Sequence, residues 1–164
     1  MSEARPLPVD FRAAWQRRDP AIEADAVGLW KRLNALPVHV DMQQRASELC
    51  LAAYRGAELI GVSTAVVREL PALRNRFAFF RCIVDPQHRG FVVAGGLLEN
   101  SFRLLSDWSH ANRPARVMGM AAIQENRNIR LPVVRGGGCR LALVGYTTAG
   151  AQIRVAWFSH AVVD

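Results

Sequence analysis

The chain has 164 residues, the length of one ordinary domain, and 51% of them are hydrophobic, enough for a core without metals or disulfides. Its 21 Lys and Arg residues outnumber its 14 Asp and Glu residues, and the net charge is +7. Lys31 is the only lysine, and the arginines are dispersed along the chain, so nucleic acid is not an expected partner.

The charge indicates an anionic ligand, because the arginine fork suits phosphate and carboxylate. A compositional preference for Arg over Lys is the alternative explanation. The cysteines, Cys50, Cys82 and Cys139, are odd in number and lack metal-binding spacing, so we expect buried, reduced thiols in a cytoplasmic protein. The histidines are scattered as well, and we predict no metal site.

No targeting or membrane segment is expected from the sequence. The first ten residues contain no apolar run of the signal-peptide kind. No later stretch reaches the ~18 apolar residues that a membrane span needs. Internal repeats and linkers are not evident, so we expect residues 1–164 to form a single domain that acts away from membranes.

The first half of the chain predicts two helices followed by a hairpin. Asp19 is typical of a helix N-cap, and apolar residues recur at helical spacing over residues 20–33. A second acidic residue can cap a short helix over 42–49. Residues 51–54 and 59–67 predict two strands joined by a glycine turn.

The second half predicts a strand, a long helix and a return to strands. Residues 77–84 are rich in aromatic and β-branched side chains, and Pro86 ends the strand because it cannot donate to a ladder. Residues 94–110 place apolar side chains along one helix face. The remaining predicted elements are a strand over 116–123, a short helix over 126–135, and closing strands over 141–147 and 152–158. The order predicts an α+β fold with a mixed, mostly antiparallel sheet of six to seven strands flanked by about four helices.

A basic loop, Gln87-His88-Arg89-Gly90, joins the predicted strand to the long helix. The first amides of a helix are unpaired and carry the positive end of its dipole, which makes this junction suitable for a diphosphate. Such a terminus contributes about 0.3–1 kcal/mol per charge at exposed sites, so it supplies orientation more than affinity. The alternative is a basic turn that binds no ligand.

This segment resembles the acetyl-coenzyme A loop of the GNAT N-acetyltransferases, in which a strand leads through Val-x-Pro to Arg/Gln-x-x-Gly-x-Gly/Ala and a helix with paired leucines. The matching positions are Val84, Pro86, Arg89, Gly90, Ala94, Leu97 and Leu98. The predicted order of elements is similar to the GNAT topology as well. One departure is Val92, at the position of the family's central glycine, where a Cβ lies in the way of the phosphates. Gly95 and Gly96 follow it, so a shifted register is an alternative.

The resemblance implies a site for acetyl-coenzyme A. The backbone of residues 82–84 would pair with the pantetheine arm like an added strand, where the next strand splays away. Asn126 would contact the pantetheine, although a helix cap is the alternative interpretation of this residue. The residues expected to bind the donor are Cys82, Ile83, Val84, His88, Arg89, Gly90, Phe91, Val92, Val93, Ala94, Gly95, Asn126 and Asn128.

Acetyl transfer to an amine requires a base for the amine and an acid for the departing thiolate. The resemblance implies a tyrosine acid seven residues after the asparagine, but that position is Val133, and the two tyrosines, Tyr54 and Tyr146, lie elsewhere. Glu125 is the first candidate for the base and Glu69 the second. Ordinary solvated carboxylates are the alternative interpretation of both.

Two functions follow from the resemblance. The first is an N-acetyltransferase that moves an acetyl group from acetyl-coenzyme A to a primary amine in a ternary complex. The alternative is a catalytically weak GNAT-fold module that binds acyl-coenzyme A as a sensor or interaction subunit. The acceptor, whether small molecule, peptide or protein, is not given by the sequence. The closing strands commonly form dimer contacts in this family, which implies a homodimer as one assembly.

Overall fold

The computed structural model describes residues 7–124 and 133–163, which form eight strands and three α-helices. The strands are β1 Val9–Ala13, β2 Leu49–Arg55, β3 Glu58–Leu70, β4 Asn75–Val84, β5 Val117–Gln124, β6 Val133–Gly136, β7 Cys139–Tyr146 and β8 Gln152–Trp157. The helices are α1 Pro20–Leu33, α2 Met42–Ser47 and α3 Phe91–Ala111, with short 3-10 turns at Pro71–Leu73, Pro86–His88 and Arg113–Ala115.

The strands form one sheet in the order β1-β2-β3-β4-β5-β8-β7-β6. Neighbouring strands are antiparallel except for β4 and β5, which are parallel. The predicted α+β class with a mixed, mostly antiparallel sheet is therefore confirmed. The strand count is higher than the predicted six to seven because the edge strands β1 and β6 lack a strong sequence pattern of their own, and the described α-helices number three, not four.

Local capping signals correctly located the first two helices. The Asp19 carboxylate accepts hydrogen bonds from the amides of Ala21 at 2.9 Å and Ile22 at 3.3 Å. Asp41 accepts from the Gln43 amide at 2.7 Å in the same way. The second helix is shorter than predicted, because Leu49 already belongs to β2.

The predicted short helix over residues 126–135 is wrong where it can be compared. Its described part, residues 133–135, lies in strand β6, while residues 126–132 lie outside the described residues. Gly137 has φ of +56°, a left-handed conformation that suits glycine and closes a tight turn into β7. Pairing with β7, and not local helix propensity, therefore decides the structure of this segment.

The helices divide between the two faces of the sheet, named here the α1 face and the α3 face. On the α1 face, α1 packs mainly on β2 and β3 and buries Ile22, Leu29 and Trp30. On the α3 face, α3 crosses most of the strands and buries Val93 and Leu97. Each fully buried aliphatic side chain contributes about 1.5–3 kcal/mol, so this packing fixes where the amino terminus of α3 lies.

Gly96 allows α3 to approach strand β1. A Cβ at this position would lie 2.2 Å from Cζ of Phe11, well inside van der Waals contact. Any larger residue would push the helix away from the sheet or displace the ring. The small-residue segment at the start of α3 therefore has a packing role in addition to any role in binding.

Candidate functional site

Strands β4 and β5 separate part of the way along their length. Their last parallel pair is Phe79 with Ala121, whereas β4 continues to Val84 and β5 to Gln124. Each strand keeps its other neighbour, β3 for β4 and β8 for β5. The β4–β5 gap thus leaves one edge of residues 80–84 without a strand partner among the described residues, as the resemblance implies. An extended ligand can pair with that edge.

Helix α3 begins at Phe91, after the loop of residues 85–90 that follows β4, and thus three residues earlier than predicted. Its N-cap is Gly90, and no side chain caps the helix. The amide of Ala94 donates to the Gly90 carbonyl at 3.3 Å, which opens the intrahelical series. The amides of residues 91–93 consequently have no partner within the helix and carry the positive end of its dipole. An anion is the natural partner of such a terminus.

Nothing in the described structure requires glycine at position 90. Its φ of 167° is extended backbone that any residue can adopt, and an added Cβ would meet no atom within 4 Å. Val92, two residues into the helix, is 70% exposed. The surface in front of the α3 terminus is therefore open at Gly90 and Val92.

The buried carboxylate of Asp85 holds the loop in place. Asp85 is 1% exposed and forms an ion pair with Arg32 of α1. It also accepts from the Gln87 amide at 2.9 Å, and its own amide donates to the Ile60 carbonyl at 2.8 Å. The hydrogen bond from Arg32 holds the pKa of Asp85 below its usual range. The loop is thus anchored to both α1 and β3 before any ligand binds.

The two basic residues of the loop, His88 and Arg89, have different surroundings. His88 Nδ1 lies 2.9 Å from Nη1 of Arg55, and His88 Nε2 lies 3.5 Å from Oε2 of Glu58. The imidazole is therefore engaged with the β2–β3 hairpin. Arg89 is exposed and makes no hydrogen bond or ion pair within the described part of the chain. Arg89 is the loop cation that can reach a ligand.

Cys82 corrects the expectation that all three cysteines are buried. Cys50 and Cys139 are buried, whereas Cys82 is exposed on the part of β4 that borders the gap.

The structure does not bring Glu69 to the gap. Glu69 pairs with Arg76 near the start of β4, about 10 Å from Phe79 along the strand and on the side away from the gap. The antiparallel β3–β4 pairing causes this, because the end of β3 lies beside the beginning of β4. The other candidates at this site, Glu125, Asn126 and Asn128, lie outside the described residues.

Val133 does not lie on a helix as the resemblance implies. It begins strand β6 at the edge of the sheet and pairs with Ala142. β8 and β7 separate this strand from β5. The comparison of Val133 with the family's acid tyrosine therefore has no support in the described geometry.

The two tyrosines occupy different environments. Tyr54 is buried, its hydroxyl donates to Oδ2 of Asp25 at 2.7 Å, and burial raises its pKa. Tyr146 is 62% exposed and lines a cavity of about 600 Å³ with Gln124, Gln152 and the β7–β8 turn. Gln124 lies on β5 beyond the last residue that pairs with β4. Tyr146 is a functional candidate that sequence reasoning missed, because its approach to β5 depends on the order of the strands.

Metal binding and membrane crossing have no candidate among the described residues. No group of three or more His, Cys, Asp or Glu side chains in residues 7–124 and 133–163 is arranged to hold a metal ion. None of the helices in this part of the chain is long and apolar enough to cross a membrane.

Comparison with known proteins identifies the fold. No family model matches the chain, and no curated protein matches its sequence. An acetyltransferase of the GNAT family from Streptococcus pneumoniae has a TM-score of 0.58 and 11% identity, over 93% of this chain and 100% of that one. The chain therefore has the GNAT fold.

Two further structures of the same fold carry more specific names. YncA from Salmonella typhimurium, in a structure with its cofactor acetyl-CoA, has a TM-score of 0.53 and 16% identity, over 95% of this chain and 98% of that one. The ribosomal-protein-S18-alanine N-acetyltransferase from Escherichia coli has a TM-score of 0.53 and 13% identity, over 94% and 97% of the two chains. At these identities the likeness concerns the fold.

Proposed function

We propose that the chain is an N-acetyltransferase that moves an acetyl group from acetyl-coenzyme A to a primary amine by direct attack in a ternary complex. The observation that carries the proposal is the uncapped terminus of α3, which the chain reaches through the loop that follows the gap-bordering end of β4. A diphosphate on the α3 amides and an extended arm along residues 82–84 would use both features at once. The acetyl-CoA bound to YncA supports this choice of donor.

The proposed donor site combines an exposed cation with residues that hold the loop and the first turn of α3 in place. Arg89 adds a permanent charge beside the amides of residues 91–93, and His88 orients the loop through its contact with Arg55. Val93 is buried and anchors the first turn of α3 to the sheet. Asn126 and Asn128 are proposed to contact the arm from the side of β5.

The chemistry requires two proton transfers by this chain. Acetyl-coenzyme A supplies the activated thioester. A base must take a proton from the acceptor, because alkyl amines with a pKa near 10.4 are charged at neutral pH and cannot attack. We place the base at Glu125, which follows Gln124 of β5, and the acid that protonates the departing sulfur at Tyr146.

Calorimetric titration with acetyl-CoA tests the donor site. Arg89→Ala should weaken binding about fivefold, since an exposed charge near a phosphate contributes about 1 kcal/mol. Gly90→Glu should weaken it more, because it adds a negative charge to the open surface before the helix. Arg103→Gln, a change of an exposed arginine on α3, is the matched control. Wild-type affinity in both loop variants would move the site elsewhere.

A thiol-release assay over a panel of primary amines tests turnover. Acetyl-CoA-dependent release with at least one amine supports the transferase. Binding without release on any amine would favour the sensor or interaction module, which the exposed Val92 at the α3 terminus motivates. Absence of binding would contradict both functions.

A homodimer is part of the proposal. β7 and β8 lie inside the sheet, so the backbone edges of both strands already pair with neighbouring strands of the same chain. Exposed Val144 and Trp157 of these strands offer apolar surface for a face-to-face contact instead. Sedimentation equilibrium of the full chain measures the assembly state.

A further inference from the structure

Arginines from two strands lie on the α1 face of the sheet beside the β4–β5 gap. Arg81 of β4 pairs with Thr64 of β3, two residues beyond Phe79. Because side chains alternate along a strand, Arg81 and Phe79 point to the same face. The guanidinium of Arg68 lies 4.1 Å from the centre of the Phe79 ring on that face. The stacked ring holds Arg68 in position at a small entropic cost.

A third arginine joins this group from the end of α2. The Ala65 amide donates to the Glu48 carbonyl at 2.8 Å, and Ala65 pairs with Phe80, so the end of α2 lies one strand away from Arg81. Nε of Arg45 lies 3.4 Å from Oε2 of Glu48, and their side chains are only 16% and 19% exposed. Arg45, Arg68 and Arg81 together are named the arginine cluster.

Among the described residues, the positive charge of the arginine cluster exceeds the negative charge that acts on it. Desolvation lowers the pKa of Arg45 and of Arg68, and the charge of Arg81 lowers both further. Glu48 is the carboxylate that opposes this effect at both residues. Within residues 7–124 and 133–163, Glu48 is the carboxylate that acts on Arg45 and Arg68, and the three guanidinium groups repel one another. A further anion between them would relieve the repulsion.

The arginine cluster lies where an acceptor would reach the gap. Arg81 is about 7 Å along β4 from Phe79, the last residue paired with β5. Helix α3 covers the opposite face, and α1 packs mainly on β2 and β3. An amine that approaches from the α1 face therefore passes the arginine cluster before it reaches the gap.

We infer that the acceptor carries a carboxylate or phosphate group close to its amine and that the arginine cluster binds this anion. The inference rests on the proposed function, because it names the substrate class of the same site. Arg81 contributes a fork from the strand that borders the gap, and Arg68 and Arg45 close around the anion from β3 and α2. An arginine fork can bind either kind of anionic oxygen group bidentately.

Two pairs of acceptors test the inference and distinguish a carboxylate from a phosphate as the bound anion. One pair is an α-amino acid and its amide, and the other is O-phosphoethanolamine and ethanolamine. With acetyl-CoA saturating, kcat/KM should be at least tenfold higher for the anionic member of one pair than for its neutral member. The pair that shows this preference tells whether the arginine cluster binds a carboxylate or a phosphate. Equal rates within both pairs, or a preference for the neutral members, would overturn the inference.

Variants then assign the preference to the arginine cluster. Arg81→Gln and Arg68→Gln should raise KM for the anionic acceptor about tenfold, with kcat/KM for its neutral partner and the calorimetric affinity for acetyl-CoA within twofold of wild type. Arg103→Gln on the opposite face of the sheet is the matched control. A loss of acetyl-CoA affinity in the Arg81 or Arg68 variant would instead assign these residues to the donor and overturn the inference.

A binding measurement keeps the test independent of turnover. Inorganic phosphate titrated into protein saturated with acetyl-CoA should bind the wild type and bind at least tenfold more weakly to Arg81→Gln. Equal phosphate affinity in the two proteins would contradict the inference. It would leave the donor site unaffected, because acetyl-CoA would still bind both proteins. Failure of acetyl-CoA to bind the wild type would overturn the proposed function and this inference together.

Discussion

Tyr146 shows how a single residue gains importance from its position in the sheet. Tyr146 lines the cavity with Gln124, whereas the hydroxyl of Tyr54 donates to Asp25 of α1. A phenol next to the departing sulfur can return the proton that the thiolate requires. Exposure and the neighbouring cavity, and not sequence spacing, single out this residue.

Removal of the Tyr146 hydroxyl tests its role. Tyr146→Phe should lower kcat about 10²-fold, the usual contribution of a general acid, with acetyl-CoA affinity unchanged. Tyr54→Phe is the matched control, and it should lower the free energy of unfolding by about 1 kcal/mol without lowering kcat, because it removes only the bond to Asp25. A Tyr146→Phe enzyme with wild-type kcat would exclude this residue as the acid.

At the scale of the element, the amino terminus of α3 combines a structural and a binding role. Its amides are uncapped, and Val92 in the first turn is largely exposed. A negative side chain in the first turn stabilises a helix, whereas the same charge repels a bound diphosphate. Stability and affinity should therefore respond in opposite directions to one substitution.

Val92→Asp separates these two roles. It should raise the free energy of unfolding by about 0.3–1 kcal/mol in urea titrations, because the charge complements the helix dipole. Acetyl-CoA affinity by calorimetry should fall at least tenfold. Val92→Asn has a similar size without the charge and serves as the control. Equal affinity of the Asp and Asn variants would contradict diphosphate binding at this terminus.

At the scale of the whole molecule, Asp85 couples α1, the sheet and the loop. Its pKa is lower in the folded chain than in the unfolded chain, where an Asp carboxyl titrates near 3.9. The unfolded state therefore binds the proton more readily, so this stabilisation is complete above the unfolded pKa and is lost as pH falls through the folded pKa.

Arg32→Gln tests this coupling. At pH 7 it should lower the free energy of unfolding by about 1–3 kcal/mol, since it removes the partner of a buried carboxylate. The difference from wild type should shrink as pH falls below about 4 and Asp85 becomes protonated. Arg18→Gln, which removes an exposed ion pair with Glu23, is the matched control and should change the free energy of unfolding much less. A difference for Arg32→Gln that does not change with pH would contradict the role of the Asp85 charge.

The local sequence determined the elements whose signals lie within a few residues. Asp19 and Asp41 cap their helices as predicted, and the strand, basic loop and long helix around Gly90 occur in the predicted order. Capping and amphipathic periodicity act over one to three turns, so they can be read without knowledge of distant residues.

The tertiary structure decided which residues meet. Pairing with β7 makes a strand of residues 133–136, and the β3–β4 register carries Glu69 away from the gap. The point at which β4 leaves β5 likewise depends on strand order. These contacts join residues that are far apart in the chain. Packing and backbone pairing across the whole sheet select them, and local propensity contains no information about either.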